Sequence, residues 1–256
     1  MRKFLIFLLL IFCCGIYSRK ISYYISAEEV IWDYAPNGKD MLHNQETNMF
    51  KMVATSEYSD TSIGRKYIKA QYVEYEDKEF KKKKDVEEKY NHKGILGPII
   101  RAEVGDTIQI LFYNNLDRAV NIHPQGLYQD EDTLSGEEVL PKQLKYYTWQ
   151  VNKESGPTAN DPSSISWIYH SSVNTTLDTN SGLLGLIIIT AKGKKTSSTD
   201  FKPKDVDYEF ITSFNVFNEN KSPYLKRNIE KFTKKPDQVN PKDEKFEHCK
   251  KKKKFP

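Results

Sequence analysis

Thr107-Ile108-Gln109-Ile110-Leu111-Phe112, closed by Asn114-Asn115, decides the fold class of this chain. Apolar and β-branched side chains in a short run, ended by two asparagines, describe a strand and its turn. Working outward, residues 145–151 and 166–169 have the same aromatic and β-branched character. Residues 182–190 form a continuous apolar run of strand length, which predicts a strand buried on both faces. Residues 205–217 alternate Val, Tyr and Phe with Asp, Glu, Thr and Asn, which predicts a half-buried strand. Gly97-Pro98, Gly105, Gly126, Gly156-Pro157 and Gly193 punctuate these runs, and long helical periodicity is absent. Many short strands with turns between them predict an all-β sandwich or barrel.

Hydrophobic residues make up 38% and aromatics 12% of the 256 residues, enough for a core, so wholesale disorder is excluded. The formal charge of +4 belongs to the ends of the chain. Arg2-Lys3 precede an apolar run over residues 4–16 and then Tyr17-Ser18, the pattern of a secretory leader. That run is shorter than the roughly 20 apolar residues a membrane span needs, so no membrane anchor is expected. Without Arg2 and Lys3 the balance is +2; without the block Lys250 to Lys254 as well, residues 19–249 carry −3. A nucleic-acid footprint needs a clustered basic face, and none is expected here. Cys13 and Cys14 leave with the leader, so Cys249 is the only cysteine expected in the mature chain and no internal disulfide can form.

Residues 78–89 read as a charged, solvent-facing excursion and residues 192–204 as a polar linker. Beyond Lys226 the chain turns to Lys, Pro, Asp and Glu, and little folding is expected.

Several longer motifs carry a resemblance. They are Tyr23-Tyr24-Ile25 with Glu28 through Pro36, Gly94-Ile95-Leu96-Gly97-Pro98-Ile99-Ile100, and Ala102-Glu103-Val104-Gly105-Asp106. Gly156-Pro157-Thr158, Asp161-Pro162, Trp167-Ile168-Tyr169-His170-Ser171 and Ser181-Gly182-Leu183-Leu184-Gly185 continue them in order. Together they resemble the multicopper oxidase family of ceruloplasmin, hephaestin and coagulation factors V and VIII. The resemblance implies a cupredoxin (plastocyanin-like) β-sandwich of Greek-key type. Asn215 through Ser222 resembles the start of that family's second cupredoxin domain. The expected organisation is a leader (1–18), a plastocyanin-like domain (19–193), a linker with the start of a second, truncated domain (194–225), and a low-complexity charged tail (226–256).

In the family's oxidases, two His-x-His pairs of this domain supply half of a trinuclear copper cluster. Spacing by two on a strand points both rings to one face, and neutral imidazole suits copper. Here the pairs read His123-Pro124-Gln125 and His170-Ser171-Ser172, so one histidine of each pair is present and Gln125 and Ser172 replace the others. His123 and His170 are the candidate residual copper ligands. The chain has five histidines in all, the others being His43, His92 and His248, too few to build the cluster alone. Ser171 and Leu183 stand near the places the resemblance implies for the Cys and Met of a blue copper site. Ser164 and Thr190 stand where it implies a disulfide.

Asp130, Glu131, Asp132, Glu137 and Glu138 are five carboxylates within nine residues. The family binds calcium in the corresponding loop with hard oxygen ligands, so Asp130, Asp132, Glu137 and Glu138 are candidate calcium ligands against the alternative of a solvated acidic loop. Asn174-Thr175-Thr176 and Asn220-Lys221-Ser222 are glycosylation sequons, Asn174 and Asn220 being the acceptors.

Three functions compete. The first is a secreted, extracellular, non-catalytic binding or structural module whose partners are other cupredoxin domains or extracellular proteins; His123-Pro124-Gln125-Gly126, similar to the wording in factor V, favours it. The second is a copper-binding ferroxidase-type oxidoreductase fragment similar to hephaestin, on the strength of Trp167-Ile168-Tyr169-His170-Ser171. The third is a truncated product without activity.

Overall fold

Alternating side chains become a ladder only where a neighbouring strand can pair with them. The structure, a computed structural model that describes residues 18–37, 60–129, 137–197 and 201–242, pairs nine strands among those residues. They are β1 (Lys20–Asp33), β2 (Lys66–Tyr75), β3 (Ile99–Glu103), β4 (Thr107–Asn114), β5 (His123–Pro124), β6 (Tyr128–Gln129), β7 (Leu144–Gln150), β8 (Ser164–His170) and β9 (Leu184–Thr190). Two helices join them, α1 (Thr175–Ser181) and α2 (Leu225–Phe232). One sheet runs β2-β1-β4-β7-β6 and the other β3-β9-β8-β5. β1 and β4 are parallel, as are β3 and β9. In each case the chain visits the other sheet between the two, which is how a Greek-key sandwich forms parallel neighbours. The expected all-β sandwich is therefore present. Among the described residues no helix is long and apolar enough to cross a membrane.

The core lies between the sheets, and its largest fully buried side chains are Trp149, Tyr72, Tyr147 and Tyr169. Tyr169 is central. Its ring lies 5.3 Å from that of Tyr72 and 6.5 Å from that of Trp149, within the usual aromatic range. Its hydroxyl donates to the Pro98 carbonyl at 2.7 Å. Gly185 faces it across the β8–β9 ladder, where a Cβ would fall 2.1 Å from Tyr169 Cζ. The glycine makes room for the ring.

Three expectations need correction. β9 is not buried on both faces: Gly185, Ile187 and Ile189 are buried, while Leu184, Leu186 and Ile188 are half-exposed on the outside. An apolar run does not reveal that nothing thick covers one of its faces. Residues 205–217 form no strand, and Tyr208, Phe210, Phe214 and Val216 are exposed. At the nearby edge of β3, the Tyr23 hydroxyl already accepts from the Arg101 amide at 2.9 Å and donates to its carbonyl at 3.1 Å. The third correction is α2, which forms where little folding is expected. Leu225, Asn228, Ile229 and Phe232 share one face by their helical spacing, and the last three are buried. Averaged composition hides that stripe among lysines.

Asn228 also explains how α2 docks. Its side-chain oxygen accepts from the Ile68 amide at 2.6 Å and its nitrogen donates to the Ile68 carbonyl at 3.3 Å, so one amide covers part of the β2 edge. The expected excursion over residues 78–89 is solvent-facing and pinned by ion pairs, Lys82 to Glu76, Lys83 to Glu28 and Lys84 to Glu74 at 2.6–2.8 Å.

A buried ion pair fastens the C-terminal segment. Lys69 on β2 is fully buried and its ammonium meets the Glu219 carboxylate at 2.6 Å. The same nitrogen donates to the Asn180 carbonyl at 2.7 Å and lies 4.3 Å from the Phe217 ring. The Tyr34 hydroxyl donates to Glu219 as well. Burial pulls the Lys69 ammonium below its ordinary pKa, against the opposing pull of Glu219. Breaking one half of a buried pair leaves an uncompensated charge, at a cost of roughly 3–5 kcal/mol. Glu219→Gln should therefore lower unfolding stability by about that amount in denaturant titrations. Lys69→Met with Glu219→Leu should cost markedly less, because no orphaned charge remains.

Candidate metal centre

β5 and β8 run antiparallel with Pro124 opposite Tyr169 and His123 opposite His170. Tyr169 and Pro124 face the core, so alternation sends both histidines to the outer face of the four-stranded sheet. Their ring centroids lie 6.1 Å apart at 71°. The ladder register thus sets the two candidate residues side by side.

Hydrogen bonds fix the tautomers. A carbonyl can only accept, so the contact of 2.9 Å between His170 Nδ1 and the Ser171 carbonyl puts the proton on Nδ1. The lone pair on His170 Nε2 faces the Gln125 amide nitrogen at 3.4 Å. His123 Nδ1 faces the Gln129 side-chain oxygen at 3.3 Å, which likewise assigns its proton and leaves Nε2 with its lone pair. Burial lowers the His123 pKa below its ordinary 6.5; the Gln129 contact opposes that shift and the neighbouring His170 deepens it.

The two residues standing in for histidines are engaged elsewhere. Gln125 lies two along from His123 and turns its amide onto His170. The Ser172 hydroxyl accepts from the Asn121 side-chain nitrogen at 3.0 Å, and the Ser172 amide donates to the Asn121 side-chain oxygen at 2.8 Å. Among the described residues no group of three or more His, Cys, Asp or Glu side chains is arranged to hold a metal ion. His92 is exposed on the turn Glu88–Lys93, and His43 and His248 lie outside the described residues. The donor set does not fit a trinuclear copper cluster.

What orders the loop after His170 is a carboxylate that sequence reasoning missed. Asp178 on α1 is fully buried, accepts from the Ser171 hydroxyl at 2.5 Å and from the Asn174 amide at 3.1 Å, and pairs with Arg118. Arg118 also reaches the Ser181 hydroxyl at 3.0 Å. Ser171 and Leu183 are fully buried neighbours, the Ser171 amide donating to the Leu183 carbonyl at 3.4 Å. A hydroxyl–carboxylate–guanidinium chain therefore starts where the resemblance implies a thiolate, and apolar Leu183 stands where it implies a thioether. On the other strand, Gly126 has φ +73° and a Cβ there would fall 2.1 Å from Trp167, so this turn needs glycine. Trp167 is held in turn by its indole N–H to the Ser155 carbonyl at 2.8 Å.

Ser164 and Thr190, at the places implied for a disulfide, are direct cross-strand partners on β8 and β9. Asp130 and Asp132 lie outside the described residues; Glu138 is exposed, and Glu137, also exposed, is paired with Lys145. Asn174 caps α1, its side-chain oxygen accepting from the Leu177 amide at 3.1 Å, and Asn220 sits half-buried in the turn Glu219–Lys221.

A family model described as multicopper oxidase matches residues 72–194. Ceruloplasmin of Mus musculus is 41% identical over 90% of this chain and 23% of its own length. Ferroxidase HEPHL1 of Mus musculus is 37% identical over 88% of this chain and 20% of its own. Hephaestin of Homo sapiens is 37% identical over 80% of this chain and 19% of its own. The chain thus spans about a fifth to a quarter of the length of these curated relatives. A solved multi-copper oxidase from Pseudomonas Thermotolerans superposes with a TM-score of 0.44 at 13% identity, over 71% of this chain and 32% of that one.

The lowered His123 value has a sign. Protonation of His123 is disfavoured in the folded state, so the stability it contributes is complete above pH 6.5 and is lost as pH falls through the depressed folded value. Imidazole titration followed by NMR should give His123 a midpoint below 6.5. A midpoint at or above that ordinary value would contradict the half-buried geometry.

Proposed function

Residues 72–194 are a multicopper oxidase family domain, and from that premise we propose that this chain is a secreted, non-catalytic binding or structural module of the family. The observation that carries this reading is the Gln125 amide on His170 Nε2, where a second imidazole would be needed. Family membership brings copper as the expected metal. His123 and His170 are the side chains that would hold an ion here, each through Nε2. Bound copper would supply one-electron redox chemistry. The chain's own residues keep the two rings oriented, cap one of the two lone pairs and tie Ser172 to Asn121.

The apolar leader and the sequons at Asn174 and Asn220 support secretion and glycosylation. Other cupredoxin domains or extracellular proteins are the partners this reading calls for. Ile168, on the outer face of β8 with His170, is 43% exposed and supports it, His170 itself being buried. Calcium is left out of the reading, because Glu137 already serves Lys145. A second reading, a copper-binding ferroxidase-type fragment, is favoured by the convergence of the two imidazoles at 6.1 Å.

Metal analysis together with an assay of ferrous iron oxidation separates the two. The module reading expects no stoichiometric copper, no blue absorbance and no turnover above background. Stoichiometric copper with measurable turnover would overturn it in favour of the second. Gln125→His should restore one His-x-His pair on the outer face and tighten copper binding by about tenfold or more, a gain of ~1.4 kcal/mol. Competition titration against a chelator measures that change, with His123→Ala in the same background expected to abolish it.

A further inference from the structure

A cleft of about 660 Å³ opens where β1 and β2 of one sheet approach β3, the edge strand of the other. That volume suits a small organic ligand. Val73, Val86, Ile99 and Phe201 give it apolar walls. Five cationic side chains also line it, against three carboxylates. Ion pairs settle most of them: Lys84 meets Glu74 and Lys89 meets Glu87, both at 2.8 Å, and Arg101 meets Glu209 at 2.9 Å. Arg19 lies over the Phe201 ring at 5.0 Å. Lys93 forms no ion pair among the described residues, and its ammonium donates to the Leu96 carbonyl at 2.7 Å and the Gly97 carbonyl at 3.3 Å. An ammonium carries three donors, so one N–H remains for whatever enters the cleft. Burial draws Lys93 below its ordinary pKa, against the opposing pull of Glu74, and a bound anion would favour the charged form again.

We propose that this cleft binds a small organic anion, its acid group seated on Lys93 and its apolar body against Val73, Val86 and Ile99. Charge selects the anion. A neutral body would cover the third Lys93 N–H without giving it an acceptor, and a cation would face like charge. The phenol of Tyr23 adds no negative charge, because burial pushes its pKa up to about 12. The walls are also held in place before anything binds. The Tyr23 hydroxyl bridges the Arg101 amide and carbonyl at 2.9 and 3.1 Å. The Tyr90 hydroxyl accepts from Arg101 at 2.9 Å and donates to Glu209 at 3.1 Å. Pre-set walls lower the ordering cost of binding. The cleft is independent of the histidine pair, since β3 and β5 are opposite edges of the four-stranded sheet. Failure here leaves the copper reading untouched.

Fluorescence titration of the full chain with two probes tests this. Anilinonaphthalene sulfonate is an aromatic body with one anionic group, and phenylnaphthylamine is the same body without it. The sulfonate should bind saturably, at one site per chain. Lys93→Gln, which removes the charge but keeps an N–H donor, should weaken sulfonate binding about tenfold or more and leave phenylnaphthylamine unchanged. Val86→Trp, at an exposed position in the lining, should fill the cleft and exclude both probes with the melting temperature unchanged. Tyr146→Asp, at an exposed aromatic on β7 outside the cleft, should alter neither. Absence of saturable sulfonate binding to the folded chain overturns the proposal. So does binding that Lys93→Gln weakens no more than it weakens the neutral probe, or binding that Val86→Trp leaves in place.

Discussion

Successive residues of a strand face opposite ways, and at Tyr169-His170 this constraint organises the molecule. Tyr169 puts its ring at the centre of the core, over Gly185 and beside Tyr72, with its hydroxyl on Pro98. His170 must therefore look outward, and the β5 ladder sets His123 beside it. The packing that stabilises the sandwich and the placement of its most metal-like side chains are consequences of one backbone register. A one-residue slip in β8 would exchange them, sending an imidazole into the core and a phenol ring to water.

The outer histidines sit on a polar framework that is closed except at one atom. Asp178, Arg118, Ser171, Asn121 and Ser172 bond one another and Gln125 meets His170, while the buried Arg118 Nε has no partner among the described residues. A buried polar network of this kind is costly when half satisfied and rigid when complete. It leaves little slack for a metal to recruit ligands. The same logic operates at the sheet edges, where Asn228 covers Ile68 and Tyr23 covers Arg101. Side chains from distant parts of the chain finish what the ladders leave open.

Local patterns made the fold legible. The run at Thr107 to Phe112 lies within β4, and residues 145–151 and 166–169 coincide with β7 and β8 to within a residue or two. Such strands are recognisable because alternation and turn residues are properties of a few consecutive positions. Residues 205–217 mislead for the same reason: the pattern is that of a strand, but pairing depends on a neighbour that no local window contains. α2 misleads in the opposite direction, a buried stripe masked by its lysines. At the site, spacing by two identified His123, Gln125, His170 and Ser172. Asp178 stayed hidden because its partner Arg118 is 60 residues away, and nothing in either neighbourhood announces the pair.

The rung that joins Ser164 to Thr190 has a consequence beyond packing. Neither residue carries sulfur, and Cys13, Cys14 and Cys249 all lie outside the described residues. No step in assembling the described sandwich waits on an oxidant, and none can be undone by a reductant. Its folding rate and its lifetime are then matters of chain topology and side-chain packing alone, indifferent to the thiol–disulfide poise of its surroundings.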